Sequence, residues 1–289
     1  MTFYLGIDAG GSNCRARLID ASGAVIGEGR SGTANARIGM EALYETLKDT
    51  ADQAVAQAGL GVEQRATIHA GMGIAGITRP GVREALADLD FGFAGANYAT
   101  DAQIANLGAH GGQDGAILII GTGSAAQLRV DGHEFTIGGY GFPISDEGSG
   151  AALGLSAMRH ALRALDGRTR KTPLSAAVTE RFYHDTAQVI AWMDQATPRD
   201  YGTFAPLVMD YAEADDAIAR SIVEHAAGHI ERFIETIFER GATRCTLVGG
   251  LAPRMRPWLR ERTVARLSLA MGDSLDGALR LAGYAPADG

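Results

Sequence analysis

Lysine is nearly missing from this chain: Lys48 and Lys171 are the only two among 289 residues, and the other 24 basic residues are arginines. Neither lysine follows a glycine, so the phosphate loop G-x-x-x-x-G-K-[ST] is excluded, and any phosphate chemistry must run without it. Cysteine is as scarce. Cys14 and Cys245 cannot build a disulfide framework or a four-cysteine zinc site. Long apolar runs are lacking too: the longest clean one is Ala116–Ile120, far short of the ~18 residues that a membrane span needs. The opening Met1-Thr2-Phe3-Tyr4-Leu5-Gly6-Ile7-Asp8 lacks the basic and apolar blocks of a secretory signal. Positive charge is in deficit, with 26 basic against 34 acidic side chains and a net charge of −8, which argues against a general grip on nucleic acid or an anionic membrane. What remains is an ordinary globular composition, 46% hydrophobic and 21% charged, able to bury a sizeable core. The expectation is a soluble, cytoplasmic protein.

The pattern along the chain is α/β. Phe3–Asp8 reads as a buried strand ending in Gly10-Gly11-Ser12-Asn13. Cys14–Ile19 alternates as a second strand, Asp20-Ala21-Ser22-Gly23 turns it back, and Ala24–Gly29 gives a third. Helical spacing runs from Gly39 to about Ala58 through Leu43, Leu47, Ala51 and Val55. A strand at Ala66–Ile74, a short helix near Pro80–Leu89 and an extended piece reaching Thr100-Asp101 follow. Then the opening repeats. Ala116–Ile120 is a strand, Gly121-Thr122-Gly123-Ser124 a glycine turn, Ala125–Val130 a strand, Val130-Asp131-Gly132 a turn and His133–Ile137 a strand, offset by roughly 111 residues from the first unit. This duplication predicts two similar lobes facing one another across a cleft, residues 1–110 and 111–289. From Glu147 onward helices dominate: Gly148–Leu165, Pro173–Tyr183, Thr186–Gln195, Asp215 to about Arg240 and Gly272–Ala282. A strand at Arg244–Val248 leads into Gly249-Gly250-Leu251.

Gly121-Thr122-Gly123-Ser124-Ala125-Ala126 nearly matches the dinucleotide fingerprint. That fingerprint needs a helix directly after the turn, and the sequel Gln127–Gly132 alternates and turns as a hairpin. The opening Asp8-Ala9-Gly10-Gly11-Ser12-Asn13 is the same device: a carboxylate at a strand end, then a bare-backbone turn with a hydroxyl. Such turns offer N–H groups to phosphate oxygens while the carboxylate can hold a hydrated Mg²⁺. Two of them, one per lobe, could grip a triphosphate from both sides, and Gly249-Gly250 leaves room for a flat nucleoside. His225 and His229 are four apart on a predicted helix. The glutamate of H-E-x-x-H is missing, since Ala226 follows His225, so they read as two solvated histidines. Cys14 and Cys245 read as small buried residues rather than reactive thiols.

The set Leu5–Ser12, Thr100-Asp101-Ala102, Ile120–Ser124 and Val248-Gly249-Gly250 resembles the sugar-kinase, heat-shock-chaperone and actin ATPase superfamily, a two-lobed α/β fold with a ribonuclease H-like core. Within it the chain is similar to the branch of N-acetylglucosamine kinases and BadF-type activator ATPases. Gly10–Arg17, Phe142–Gly150 and Pro198–Gly202 look closest to bacterial glucosamine kinases. The family usually has threonine where Ser12 stands and glycine where Ala9 stands. By this resemblance Asp101 is the general base that accepts the proton of the sugar 6-hydroxyl, and Asp8 lies near Mg²⁺. The resemblance also gives Gly10, Gly11, Ser12, Asn13, Gly121, Thr122, Gly123 and Ser124 to the phosphates and Gly249-Gly250 to adenosine. Asn35, Ala75, Gly139, Tyr140, Asp146 and Gly150 fall where family members touch the sugar. Taken alone, Asp101 reads as a helix N-cap before Ala102–Leu107 rather than as a catalytic group, and Asp146-Glu147 reads equally as first-turn acids of the following helix.

The implied activity is transfer of the γ-phosphoryl of ATP, with Mg²⁺, to the 6-hydroxyl of glucosamine, with N-acetylglucosamine as the alternative substrate. Two readings from other classes stand beside it. One is an activator ATPase with an iron–sulfur cluster held between two subunits, and the other is a non-catalytic sugar-binding regulator. The first would draw on Cys14 and Cys245. The expected partner is a small amino sugar, with neither nucleic acid nor membrane; family members are often dimers, and the sequence leaves a homodimer open.

Overall fold

The computed structural model describes residues 2–11 and 13–286. The chain divides into two compact units, Met1–Gln113 with Leu269–Gly289, and Asp114–Ser268. In the first unit β1 (Phe3–Ala9), β2 (Cys14–Ile19) and β3 (Val25–Ser31) form an antiparallel meander. Parallel β4 (Ile68–Ile74) and β5 (Gly95–Ala99) extend it to the order β3-β2-β1-β4-β5. Side chains alternate across a strand, so register decides which face each residue serves. Leu5 and Ile7 pair with Leu18 and Ala16, on the face where the helix Met40–Gln57 brings Leu43, Leu47 and Ala51. Gly6, one residue out of phase, abuts Leu275 and Leu279 of the helix Ser274–Leu281 on the opposite face. Asp8 and Arg15 share that second face because Asp8 pairs with Arg15. The large side chains Leu5, Ile7, Leu18, Leu43 and Leu47 are fully buried, each worth about 1.5–3 kcal/mol relative to exposure.

The terminal segment differs from the division drawn from the sequence. Ser274–Leu281 packs on β1, β4 and the helix Asp101–Ala109, so residues from Leu269 onward rejoin the first unit. Periodicity identifies such a helix, but not which distant sheet its apolar stripe will cover.

The second unit repeats the meander with β6 (Gly115–Ile120), β7 (Ser124–Val130) and β8 (His133–Gly138), and β9 (Cys245–Val248) adds in parallel to β6, giving the order β8-β7-β6-β9. Its core lies under the helices Gly150–Leu165, Ala205–Glu213 and Ala217–Glu239. An aromatic group of Phe182, Trp192, Tyr201 and Phe204 closes the helical side. The short helix Pro198–Gly202 and the helix Ala205–Glu213 fall in a stretch where sequence periodicity assigns none. Among the described residues no helix is long and apolar enough to cross a membrane.

Candidate active site

In the first unit the predicted residues gather where the parallel strands β1, β4 and β5 end. Gly73 of β4 sits in register with both Asp8 and Ala99, so the three C-terminal ends are level, the edge at which open α/β sheets bind ligands. Gly10 turns the chain there, its N–H donating to Asn13 O at 3.0 Å, and Gly11 follows in the open. Ser12 lies outside the described residues. Asn35 and Ala75 form an isolated parallel bridge, tied to β1 by Ala75 N–H donating to Ala9 O at 2.9 Å. The Asn35 side-chain carbonyl accepts from Arg37 N–H at 2.9 Å, leaving its amide NH₂ as a donor.

Asp101 is not an N-cap. Thr100 is the N-cap: its hydroxyl accepts from Gln103 N–H at 3.0 Å, and the Gln103 side chain answers at Thr100 N–H at 2.8 Å, a reciprocal capping box. Asp101 is therefore the first helical residue, its carboxylate released from capping duty and met by backbone N–H groups, that of Ala102 at 3.0 Å and its own. Asp101 keeps an opening to solvent, yet desolvation by the surrounding protein holds its carboxyl above the ordinary aspartate range, and the Asp8 charge pushes the same way. No cationic side chain among the described residues contributes to lowering it.

Asp8 is handled differently. Its Oδ2 accepts from Arg15 at 2.7 Å and from Ser274 Oγ at 2.6 Å. These bonds use one carboxylate oxygen and leave Oδ1 as a donor for a hard, hydrated cation. An oxygen-only donor of this kind fits Mg²⁺. Arg15 and Ser274 were not anticipated. Arg15 is legible in principle, because the hairpin register sets it opposite Asp8. Ser274 lies 266 residues away in sequence and carries no local signal.

In the second unit Gly121-Thr122-Gly123 leaves β6 beside Gly249-Gly250, which leaves β9, since Ile119 pairs with Val248. Gly249 makes its turn at φ 100°, a conformation that favours glycine. The two turns border a cavity of about 350 Å³, together with Gly150, Gly202, Leu251 and Arg254. Arg254 is held over it by Asp210 and Glu213, both at 2.8 Å. Gly150 N–H donates to Gly121 O at 2.8 Å, and Ala151 N–H to Thr122 O at 3.1 Å, so the start of the Gly150–Leu165 helix fixes the turn. Gly202 and Arg254 are additions to the sequence-derived set.

Asp146 and Glu147 are not first-turn acids either. Ser149 caps the helix, accepting from Ala152 N–H at 3.2 Å, and Asp146 precedes it at φ 67°. A Cβ on Gly123 would lie 2.8 Å from Asp146 Oδ2, so only glycine lets the carboxylate rest on the turn. Desolvation raises the Asp146 carboxyl above its ordinary value against the pull of backbone N–H groups from Ser124, Gly141 and Phe142, with Glu147 adding like charge. Ser124 is buried, and its hydroxyl donates to Glu147 O at 2.7 Å, a bracing role rather than an open phosphate contact. Gly139 and Tyr140 follow the edge strand β8, and Tyr140 is 80% exposed, its ring at the rim of an open cavity of about 490 Å³ that it shares with Ile137, Glu147 and His229.

The histidines depart from expectation. His229 is half-buried, and its Nε2 stands 3.1 Å from Nε2 of His225, so the pair is in mutual contact rather than separately solvated. One turn of helix between them brings the rings together. Both cysteines are fully buried. Burial pushes the Cys14 thiol to about 11 and Cys245 to about 12. A thiol titration of the folded protein at pH 8 should find neither group, and denaturant should release two. A rapidly reacting thiol in the folded protein would contradict this burial. Thiols so enclosed offer no exposed thiolates for a cluster shared between subunits.

Comparison with known proteins adds family and relatives. The model of the BadF/BadG/BcrA/BcrD ATPase family matches residues 5–268. Glucosamine kinase GspK of Vibrio cholerae is 38% identical over 98% of this chain and 96% of its own length. An N-acetylmuramic acid/N-acetylglucosamine kinase of Clostridium acetobutylicum is 26% identical over 83% of this chain and 80% of its own. Among solved structures, a Chromobacterium violaceum protein provisionally designated an N-acetylglucosamine kinase superposes with a TM-score of 0.88 at 32% identity, covering 98% of this chain and 99% of that one. The α/β actin-like sugar-kinase fold read from the sequence stands.

Proposed function

The chain belongs to the BadF/BadG/BcrA/BcrD ATPase family, and from that membership we propose that it is an ATP-dependent amino-sugar kinase whose substrate is glucosamine, phosphorylated on its 6-hydroxyl. Use of ATP follows from the family. The observation that carries the chemistry is Asp101, a carboxylate at a level strand edge, with no cation paired to it among the described residues and its pKa held above the ordinary range. Such a group accepts a hydroxyl proton at a carboxylate oxygen, while an ion-paired aspartate would do so poorly.

Each residue then has its part. Asp101 orients the acceptor hydroxyl and takes its proton. Asn35 offers its amide, and the Asn35–Ala75 bridge supplies a rigid wall. Gly121, Thr122 and Gly123 present backbone N–H groups to phosphate oxygens, and Gly249-Gly250 and Leu251 receive the nucleoside in the 350 Å³ cavity. Arg15 and Ser274 keep the Asp8 carboxylate aimed. Mg²⁺, held by Asp8 through water, supplies neutralisation of triphosphate charge when bound with the nucleotide.

Glucosamine is preferred over the acetylated sugar because Asp146 is a carboxylate, which pairs with an ammonium and has no use for an acetyl methyl. The Vibrio relative supports this choice, and the Clostridium relative supports N-acetylglucosamine as the alternative. Asp146→Asn should lower kcat/KM for glucosamine by about 10–100-fold, the worth of one charge-assisted bond, and change that for N-acetylglucosamine far less. An equal loss on both sugars would assign Asp146 to ring hydroxyls instead. The reaction itself is tested by ³¹P NMR of the product. A phosphomonoester on C6 of glucosamine is expected. Phosphate released without a sugar ester would refute the kinase reading.

A further inference from the structure

The helix Ala217–Glu239 carries a feature that phosphoryl transfer leaves unused. His225 and His229, one turn apart, hold their Nε2 atoms 3.1 Å from each other, with rings at 89° and centroids 4.6 Å apart. They line a cavity of about 150 Å³, shared with the segment around Phe142–Ser145, Glu147 and Arg159. Two imidazole nitrogens come this close in one of two ways: they share a proton, or they bind one ion. With metal–nitrogen bonds of about 2.0–2.1 Å, a 3.1 Å separation corresponds to an angle of roughly 100° at the metal, between the octahedral and tetrahedral ideals. The two rings are thus already spaced for chelation.

We propose that His225 and His229 form a two-nitrogen site for a divalent transition-metal ion on the helix face that backs the Phe142–Gly148 segment. Imidazole nitrogen favours Zn²⁺, Cu²⁺ and Ni²⁺, whereas Mg²⁺ demands oxygen, so this site is chemically separate from the Asp8 carboxylate. Glu147 and Arg159 both line the same cavity, so one acid and one base border the pair. Among the described residues no third histidine, cysteine, aspartate or glutamate completes a set, so water fills the remaining positions and the ion exchanges readily.

The test is calorimetric titration of the chelator-treated full chain with Zn²⁺ in excess Mg²⁺, repeated on His225→Ala, His229→Ala and the double variant, with His69→Ala as control. One ion per chain is expected, with affinity lowered about tenfold or more in each single variant and unchanged in the control. His225→Asn and His229→Asn, which keep polarity and bulk, carry the same expectation should an alanine variant lose its fold. Cu²⁺ bound to the wild type should give an electron paramagnetic spectrum with two equivalent nitrogens. A smaller change in affinity, or binding that survives the double variant, overturns the proposal, as does inorganic phosphate binding at this cavity in place of the metal.

Discussion

Asp101→Asn should cut kcat on the amino sugar by about 10²–10⁴-fold, the usual range for loss of a general base, while leaving the binding of ATP within a few fold. The amide keeps the shape of the carboxylate and its 3.0 Å bond from Ala102 N–H, but it cannot take a proton from the 6-hydroxyl. The pH profile carries the same signature. Wild-type activity needs the Asp101 carboxylate ionised, so it falls as pH drops through a pKa lying above the ordinary aspartate value of 3.8. The variant should lose that acidic limb. Stability should move the other way. An acid whose folded pKa is raised binds its proton more tightly when folded, so stability declines as pH rises through the interval between the unfolded and the raised value, and stays lower above it. Asparagine removes this cost, so Asp101→Asn should melt no lower than wild type at pH 7 and higher if the cost is appreciable. A variant that keeps near-normal kcat, or that loses activity by unfolding, would contradict the role assigned to Asp101.

Gly277→Ala should be among the most damaging single methyls that can be added to the first unit. In the crossing of the helices Asp101–Ala109 and Ser274–Leu281 a Cβ at Gly277 would fall 1.8 Å from Ile104 O, and one at Gly108 equally close to Asp273 O. Both obstacles are backbone, so no side chain can swing aside and the helices must part. A loss of about 3 kcal/mol is expected, roughly 10 °C in melting temperature for a unit of this size. Gly228→Ala is the internal control. That glycine lies inside the helix Ala217–Glu239 with open space around it, so the same methyl should stabilise by about 0.5–1 kcal/mol through helix propensity. Opposite signs for one chemical change would separate close packing from propensity. Equal, small effects would mean that the Ser274–Leu281 helix does not seat on the first unit as described.

Much of this was readable in the sequence, and what escaped has physical reasons. The two meanders are local: Ala9 pairs with Cys14 and Ile120 with Ser124 across short glycine turns, so a few residues of alternation and a turn signal define them. The resemblance assigns Asp101 as the base, while its local context suggests an N-cap. The deciding fact is that Thr100 with Gln103 makes a better capping box, a pattern visible in Thr100-Asp101-Ala102-Gln103 once threonine is considered first. Asp146 read as a first-turn acid for the same reason, with Ser149 the residue that takes the cap. Ser274 bonds Asp8 across 266 residues of sequence, the return of the last helix to the first sheet rests on similarly distant contacts, and no local periodicity encodes them. The helices Pro198–Gly202 and Ala205–Glu213 were hidden by Pro198, Gly202 and Pro206, which read as loop residues. In fact both prolines sit in the first turn, where the missing N–H costs nothing.

The most direct test of the account is kcat/KM measured side by side for glucosamine and N-acetylglucosamine with saturating ATP and Mg²⁺, against glucose and a sugar-free blank. ADP formation that requires an amino sugar and runs fastest on glucosamine is the predicted result. A preference for the acetylated sugar would keep the kinase and overturn the pairing of Asp146 with the amine. ADP formed equally with and without sugar would contradict the account at its centre.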